Sequence, residues 1–106
     1  MFQPLTSGQQ LLWNAVSEKA FQERVRKLAL SCGWRYYHPW DSTHSTEGWP
    51  DVFLLRAGTA LAFELKMEGK DPTEAQRDWL GALNAAGIEA WVIRPHDMDW
   101  LIEKLH

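Results

Sequence analysis

The sequence predicts a single α/β domain whose elements follow the order αβββαβα. The chain has 106 residues, of which 45% are hydrophobic and 24% are charged, which indicates one globular core rather than a disordered chain or two domains. Apolar residues recur at three- and four-residue intervals in three segments, which predicts helices. Short runs rich in aromatic and β-branched residues lie between these segments and predict strands.

The domain is expected to span residues 17–106, after an N-terminal arm of residues 1–16. Pro4 and the Thr6-Ser7-Gly8 run favour irregular backbone in this arm. The single Cys32 excludes an internal disulfide and a cysteine-based zinc cluster. No apolar run is long enough to cross a bilayer and no cleavable signal is recognised, so we expect a cytoplasmic protein with no membrane segment.

The first helix is predicted to begin after Ser17, a residue favoured as an N-cap, and to end near Cys32, before Gly33. At about 100° per residue, Glu18 falls on the apolar stripe of this helix and Glu23 falls on the opposite side. A carboxylate that faces a core needs a partner, so we expect Glu18 to point inward toward a polar site. The alternative is a first-turn acid that the helix dipole stabilises.

The segment from Gly48 to Lys66 has the pattern of a β-hairpin, because two apolar runs flank the turn residues Ala57-Gly58. A turn centred there places Asp51 opposite Glu64 on the neighbouring strand. Directly opposed antiparallel residues have Cβ atoms about 4.5–5.5 Å apart, so the two carboxylates repel unless a cation lies between them. Strand alternation adds Lys66 to the face of Glu64.

The opposed carboxylates predict a site for a divalent metal ion and a phosphodiester. Mg²⁺ binds oxygen ligands and characteristically uses only one or two carboxylates, with waters and phosphate oxygens completing its shell. The alternative is an ordinary hairpin in which Glu64 and Lys66 form an exposed salt bridge of little energetic weight. The spacing alone leaves both interpretations open.

The second half of the chain predicts a helix, a strand and a final helix. The Asp71-Pro72-Thr73-Glu74 run is expected to start the first of these helices, with its aspartate as the N-cap, and Gly87 is expected to end it. Gln76 falls on the apolar stripe of this helix, where an amide needs hydrogen-bond partners. Residues 89–94 are predicted to form the last strand and residues 97–105 the last helix.

Together these motifs resemble the core of the PD-(D/E)xK nucleases, and their order is similar to that of the VRR-Nuc branch of this superfamily. The resemblance spans about residues 17–105. It implies a restriction-endonuclease-like fold, in which helices flank a central mixed β-sheet, and this agrees with the order αβββαβα. The residues that carry the resemblance are Glu18, Phe21-Gln22, Gly48-Trp49-Pro50-Asp51, Glu64-Leu65-Lys66 and Gln76.

The resemblance implies a binding site for Mg²⁺ or Mn²⁺. Asp51 and Glu64 are the implied metal-binding carboxylates, and the backbone carbonyl of Leu65 is a further ligand. Glu18 is expected to contribute either directly or through a water. An ion held there polarises a phosphoryl oxygen and acidifies a water.

Two further residues are implied in catalysis. Lys66 is expected to orient the attacking water or to stabilise charge that develops on the phosphorus. Gln76 is expected to reach toward this lysine or toward the scissile phosphate. A satisfied core amide remains the alternative for the glutamine.

Four residues around the site are predicted to contact DNA. Ser45 lies in the polar loop before Asp51, where its hydroxyl can donate to a phosphate, and Trp49 can stack on a base. Lys70 and Arg77 are expected to bind the DNA backbone at the edge of the site. A surface loop without a substrate role is the alternative for the serine, and a core lid is the alternative for the tryptophan.

By resemblance, the chain is expected to be a homodimeric, structure-selective endonuclease that acts on branched DNA such as four-way (Holliday) junctions. Seven tryptophans are many for this length, so the Trp13 arm and the Trp100 helix are candidate dimer surfaces. The net charge of -3 does not exclude DNA binding, because a nuclease concentrates acids at its metal site. Two alternatives remain open: a non-catalytic nucleic-acid or protein-interaction module with this fold, and a nuclease that acts on a flap, a nick or a linear duplex.

Overall fold

The computed structural model describes residues 17–39 and 45–106. Within these residues the elements follow the predicted order αβββαβα. No described helix is long and apolar enough to cross a membrane, and the predicted N-terminal arm lies outside the described residues. The elements are α1 (Glu18–Ser31), β1 (Arg35–Tyr37), β2 (Val52–Arg56), β3 (Thr59–Leu65), α2 (Glu74–Ala85), β4 (Glu89–Ile93), a short 3-10 helix (Pro95–Asp97) and α3 (Met98–Leu105).

The strands form one mixed sheet in the order β1-β2-β3-β4. Strands β1 and β2 pair antiparallel, as do β2 and β3, whereas β3 and β4 pair parallel. A parallel pair needs a crossover connection, and α2 provides it. The implied architecture, a central mixed sheet flanked by helices, is therefore confirmed.

A tight turn sets the register of the β2–β3 hairpin. The central residues of the turn, Ala57-Gly58, both have positive φ, at 47° and 81°, as a type I′ turn requires. The ladder pairs Val52 with Phe63, so the next residue along each strand brings Asp51 opposite Glu64. The predicted turn and the predicted register are both confirmed.

A different layer of helices covers each face of the sheet. Helices α1 and α3 cover the face that holds Phe63, and α2 covers the face that holds Ala62. Because side chains alternate along a strand, Glu64 lies on the α2 side. The core residues are Phe21, Val25, Ala29, Trp34, Val52, Leu54, Leu61, Phe63, Ile93, Leu101 and Leu105 on the first face, and Ala62, Leu80, Leu83 and Ala90 on the second.

Helix α1 begins and ends where the sequence predicts. The Ser17 hydroxyl accepts a hydrogen bond of 3.1 Å from the Ala20 N–H, which satisfies one of the free donors at the helix start. The helix ends at Ser31, and Gly33 follows with a positive φ. Both the cap and the stop signal are confirmed.

The start of α2 differs from the prediction. Its N-cap is Thr73 rather than Asp71, and Thr73 exchanges two hydrogen bonds with Gln76 in a capping box. Two overlapping capping boxes are possible in this segment, because Asp71 and Glu74 are three residues apart, as are Thr73 and Gln76. Asp71 instead lies 3.7 Å from the Arg94 guanidinium, which leaves the later box to start the helix.

Candidate active site

The two predicted carboxylates meet at the open end of the β2–β3 hairpin. Glu64 lies near the end of β3 and is only 2% exposed, and Asp51 directly precedes β2 and is half-buried. The Oε2 atom of Glu64 is buried without a hydrogen-bond partner among the described residues. A buried carboxylate in this state is costly unless it is protonated or bound to a cation.

The environment of Glu64 favours its protonated form. Burial is the largest cause of a pKa of about 8, well above the ordinary 4.5, and the charge and hydrogen bond of the adjacent Asp51 carboxyl act in the same direction. The Lys66 ammonium acts in the opposite direction. Near neutral pH and without a cation, the pair therefore holds a proton. A divalent cation between the two groups would take the place of that proton.

Asp51 is held from two sides before any ligand binds. Its Oδ2 accepts a hydrogen bond of 2.9 Å from the Leu65 N–H, and its backbone carbonyl lies 2.5 Å from the Nδ1 atom of His38. Because a carbonyl can only accept, the His38 proton is on Nδ1. The observed contact of Leu65 uses its N–H, and a role for its carbonyl as a metal ligand stays a prediction.

Lys66 extends β3 by one residue and stays on the Glu64 face of the sheet. Its N–H donates to the Ile93 carbonyl at 3.0 Å, which continues the parallel ladder to β4. The residue is half-buried, and its ammonium is close enough to lower the pKa of Glu64. The structure thus brings Asp51, Glu64 and Lys66 together, as the motif predicts. Their catalytic roles stay predictions.

Glu18 lies on the wall of a small cavity beside the carboxylate pair. The cavity has a volume of about 160 Å³, and its lining includes Glu18, Asp51 and Leu65. Glu18 is exposed and is not directed into the core, which differs from the prediction. The first turn of α1 lies outside the core, and Phe21 is the first buried residue of the helix. Within residues 17–39 and 45–106, no group of three or more His, Cys, Asp or Glu side chains is arranged to hold a metal ion. This geometry favours the water-mediated role for Glu18 over the direct one.

Gln76 has a structural role that the sequence analysis did not predict. Its Oε1 accepts the Thr73 N–H at 2.8 Å and so completes the cap of α2, which leaves the amide NH₂ group for other acceptors. The side chain is half-buried and lines a cleft together with Asp51. The position of Gln76 beside the carboxylate pair agrees with the prediction. Its catalytic role stays a prediction.

The cleft lies on the other side of Asp51 and has a volume of about 430 Å³. Its lining includes His38, Ser45, Trp49, Asp51 and Gln76. Two of the predicted DNA-contacting residues, Ser45 and Trp49, therefore border the same space as the carboxylate. The sequence does not predict His38 as a neighbour of Asp51, because the register of β1 on β2 depends on the path of the long loop between them.

The segment before Asp51 packs closely on the first turn of α2. A Cβ atom at Gly48, where φ is 85°, would lie 2.6 Å from the carbonyl carbon and oxygen of Ala75, and only glycine permits such an approach. The Trp79 Nε1 donates to the Glu47 carbonyl at 3.1 Å, and the Trp49 ring lies 5.0 Å from the Trp79 ring. These contacts hold Trp49 against α2, and a contact of Trp49 with DNA stays a prediction.

The two predicted backbone-binding cations are both exposed. Arg77 donates from Nη1 to the Pro72 carbonyl at 2.6 Å. Lys70 lies in the turn after Lys66, and its carbonyl accepts a hydrogen bond of 2.8 Å from the Arg94 guanidinium. Contact of Lys70 or Arg77 with DNA stays a prediction.

A second group of titratable side chains holds the turn after Lys66. The Glu68 carboxylate accepts a hydrogen bond of 3.0 Å from the backbone N–H of His96 and lies 2.7 Å from the Nδ1 atom of the His96 ring. On the other side of the ring, Nε2 lies 3.1 Å from Asp97, which also accepts the Arg94 N–H at 2.8 Å. Burial raises the pKa of Asp97, and the Arg94 hydrogen bond opposes this. This group ties the turn to the junction of β4 and α3.

Comparison with known proteins supports the fold that the sequence resemblance implied. A solved structure titled "VRR_NUC domain protein" matches with a TM-score of 0.63 at 20% sequence identity, covering 86% of this chain and 91% of that chain. No protein-family model and no curated protein matches the sequence. The resemblance is thus confirmed at the level of the fold, and the chain has the restriction-endonuclease-like fold of a VRR_NUC domain.

Proposed function

We propose that the chain is a metal-dependent endodeoxyribonuclease that hydrolyses phosphodiester bonds in branched DNA such as four-way junctions. The observation that carries the proposal is the opposed Asp51–Glu64 pair, followed by Lys66 on the same face, within a fold shared with a VRR_NUC domain. Two carboxylates that hold a proton near neutral pH form a site for a divalent cation.

The residues present fit a hard divalent cation such as Mg²⁺ or Mn²⁺. The Oε2 atom of Glu64 lacks a partner, and one or two carboxylates are the usual protein ligands of Mg²⁺. Asp51 and Glu64 are proposed as direct ligands, the Leu65 carbonyl as a third, and Glu18 as a water-mediated one. When bound, the ion supplies the positive charge that polarises a phosphate oxygen and lowers the pKa of a water.

Lys66 and Gln76 are proposed to act on the reacting groups. The Lys66 ammonium has three donors on the Glu64 face, which can orient the attacking water and stabilise charge on the phosphoryl oxygens. The Gln76 NH₂ group lies on the wall of the cleft at Asp51, where it can donate to the scissile phosphate.

Binding of the DNA around the scissile bond is proposed for four residues. Ser45 and Trp49 border the cleft at Asp51, and Lys70 and Arg77 are exposed cations near the site. Contacts to phosphates fix the register of DNA without reading its sequence, which suits an enzyme that selects a DNA structure.

A twofold dimer is proposed because a four-way junction offers two symmetric strands and each protomer has one site. Trp100 packs on Trp91 at a ring distance of 5.0 Å and against the core, so it is a poor candidate for the interface, and Trp13 lies outside the described residues. Apolar surface is available elsewhere, because Leu30 and Ile102 are exposed on α1 and α3, which cover the same face of the sheet. The large hydrophobic residues exposed in the described part of the chain are Leu30, Tyr37, Leu55 and Ile102.

Sedimentation at micromolar concentration tests the dimer. We expect a dimeric mass for the wild-type protein. A monomer that still cuts both strands of a junction in one binding event would refute the dimer and leave the active-site assignment untouched.

A cleavage assay on linear duplex, flap, splayed arm and four-way junction, with Mg²⁺, Mn²⁺ or EDTA, tests the function. We expect metal-dependent cleavage that is fastest on the junction and is lost in Asp51→Ala and Glu64→Ala. Exposed Glu103 provides the matched control, since Glu103→Ala removes a carboxylate that lines neither the cleft nor the small cavity at Asp51. Cleavage in excess EDTA, or equal activity of the Asp51 variant and the control, would refute the mechanism.

The second candidate function is a non-catalytic module that keeps this fold. Such a module would bind DNA or a protein and cut none of the four substrates. The same assay, run with enzyme in excess over DNA, separates the two functions.

A further inference from the structure

We propose that the groove between α1 and β1 binds the DNA strand that flanks the scissile phosphodiester. This inference rests on the nuclease function proposed above and extends it to the path of the substrate. The groove has a volume of about 500 Å³. Lys19, Gln22, Glu23 and Arg26 line it from α1, and Tyr36 and Tyr37 line it from β1.

The groove is continuous with the candidate active site. Gln22 lines both the groove and the small cavity that contains Glu18 and Asp51. His38 lines both the groove and the cleft on the other side of Asp51, and its Nδ1–H donates to the Asp51 carbonyl. A strand whose phosphodiester lies at the carboxylate pair therefore passes directly into the groove.

The α1 wall of the groove carries cations at a spacing that suits a phosphate backbone. Lys19 and Arg26 are seven residues apart, which is about 10 Å along a helix axis and about the rise of three nucleotides in a duplex strand. Arg26 makes two hydrogen bonds with Glu23, at 2.7 and 2.9 Å. A guanidinium has five N–H donors, so this contact orients Arg26 and leaves donors for a phosphate.

The β1 wall supplies aromatic groups. Tyr37 is 58% exposed and borders both this groove and a neighbouring one that Trp49 lines, so its ring is a stacking platform at the rim of the groove for an unpaired base. The Tyr36 hydroxyl is buried without a hydrogen-bond partner of good geometry among the described residues. Burial raises the pKa of this phenol, and the neighbouring Gln22 amide opposes that effect. Because this hydroxyl is buried, contact with DNA on this wall is assigned to Tyr37 and not to the Tyr36 phenol.

Fluorescence anisotropy with a labelled single strand and a labelled four-way junction tests the groove, with Ca²⁺ present to prevent cleavage. Lys19→Ala is expected to weaken binding several-fold and to lower the slope of log affinity against log salt by about one. Exposed Arg24 lies about 140° from Lys19 around α1 and is the control, so Arg24→Ala is expected to change binding less than about twofold. Tyr37→Ala is expected to weaken single-strand binding at least about fivefold, and Tyr37→Phe to retain it.

Equal effects of Lys19→Ala and Arg24→Ala, or wild-type binding by Tyr37→Ala, would overturn the inference. A groove that binds an acidic protein segment instead of DNA would give that result. Failure of the nuclease function is distinguishable, because the wild type would then cleave no DNA while the groove variants still weaken binding. The substituted side chains are all exposed, so thermal unfolding is expected to show folded variants with little loss of stability.

Discussion

Glu64→Gln is expected to remove most of the pH dependence of stability between about pH 5 and about pH 8. Burial and the neighbouring Asp51 raise the pKa of Glu64 from 4.5 to about 8. In this interval the folded protein retains a proton that the unfolded chain has released, so the free energy of unfolding falls as the pH rises. Glutamine has nearly the same shape and no proton to release.

The expected magnitude follows from the two pKa values. Each pH unit between the unfolded and the folded pKa contributes about 1.4 kcal/mol, and the interval from 4.5 to about 8 therefore gives about 5 kcal/mol as an upper limit. Water that reaches the adjacent cavity stabilises part of the charged form, so we expect a loss of about 2–5 kcal/mol. A small domain has about 5–15 kcal/mol of stability in total, which makes this effect easily measurable.

Urea unfolding followed by tryptophan fluorescence in EDTA measures the effect. The exposed Glu103 provides the control, and Glu103→Gln is expected to follow the wild type across the pH range. The free energy of unfolding of Glu64→Gln is expected to fall much less with rising pH than that of the wild type, and this variant is expected to be the most stable of the three proteins at about pH 8. Mg²⁺ at about 100 times its Kd stabilises the wild type by about 2.7 kcal/mol and is expected to stabilise Glu64→Gln less. Parallel pH profiles for Glu64→Gln and the wild type would refute the raised pKa.

Lys66→Ala is expected to retain DNA binding in Ca²⁺ while cleavage in Mg²⁺ falls at least about a hundredfold, because a lost transition-state contact lowers turnover rather than affinity; a matching loss of binding would contradict this. Glu18→Gln is expected to slow single-turnover cleavage at saturating protein and Glu23→Gln is not, because only Glu18 lines the cavity beside the carboxylate pair; equal rates would refute the placement. Gln76→Ala is expected to lower the free energy of unfolding by about 1 kcal/mol through loss of the cap. Gln76→Glu is expected to keep the cap and still slow cleavage, and urea titrations with single-turnover rates separate the two roles. Gly48→Ala is expected to lower the Tm by several degrees, because its Cβ would lie 2.6 Å from backbone atoms of α2; an unchanged Tm would show that the loop relaxes freely.

The hairpin shows which parts of the site are predictable from sequence. The pair Ala57-Gly58 marks the turn, and a hairpin with a two-residue turn has a fixed register, so counting along both strands places Asp51 opposite Glu64. Because side chains alternate along a strand, Lys66 then lies on the same face as Glu64. Each step uses residues that are close in sequence, and each is confirmed in the structure.

Other features of the site depend on contacts between residues that are far apart in sequence. The β1–β2 register that brings His38 to the Asp51 carbonyl depends on the path of the loop between them, which composition does not determine. Glu68 and His96 are 28 residues apart, and neither has a local pattern that indicates the other. The sequence offers two capping boxes for the start of α2. The contact between Asp71 and Arg94, which accompanies the later box, forms only in the folded chain.

The two carboxylates repel each other, and the surrounding contacts of the fold hold them together. Glu64 is buried beside a like charge, an arrangement that the metal-free protein relieves by keeping a proton. The contacts around the pair are nevertheless formed in advance, because the Leu65 N–H orients Asp51 and the Glu68–His96 contact holds the turn after Lys66. The proposed cation binding would therefore need no rearrangement of the strands, and it would exchange a proton for a metal ion at a site that is already shaped. The same carboxyl group would then link pH, metal affinity and stability, and proton release on metal binding should be largest below the Glu64 pKa.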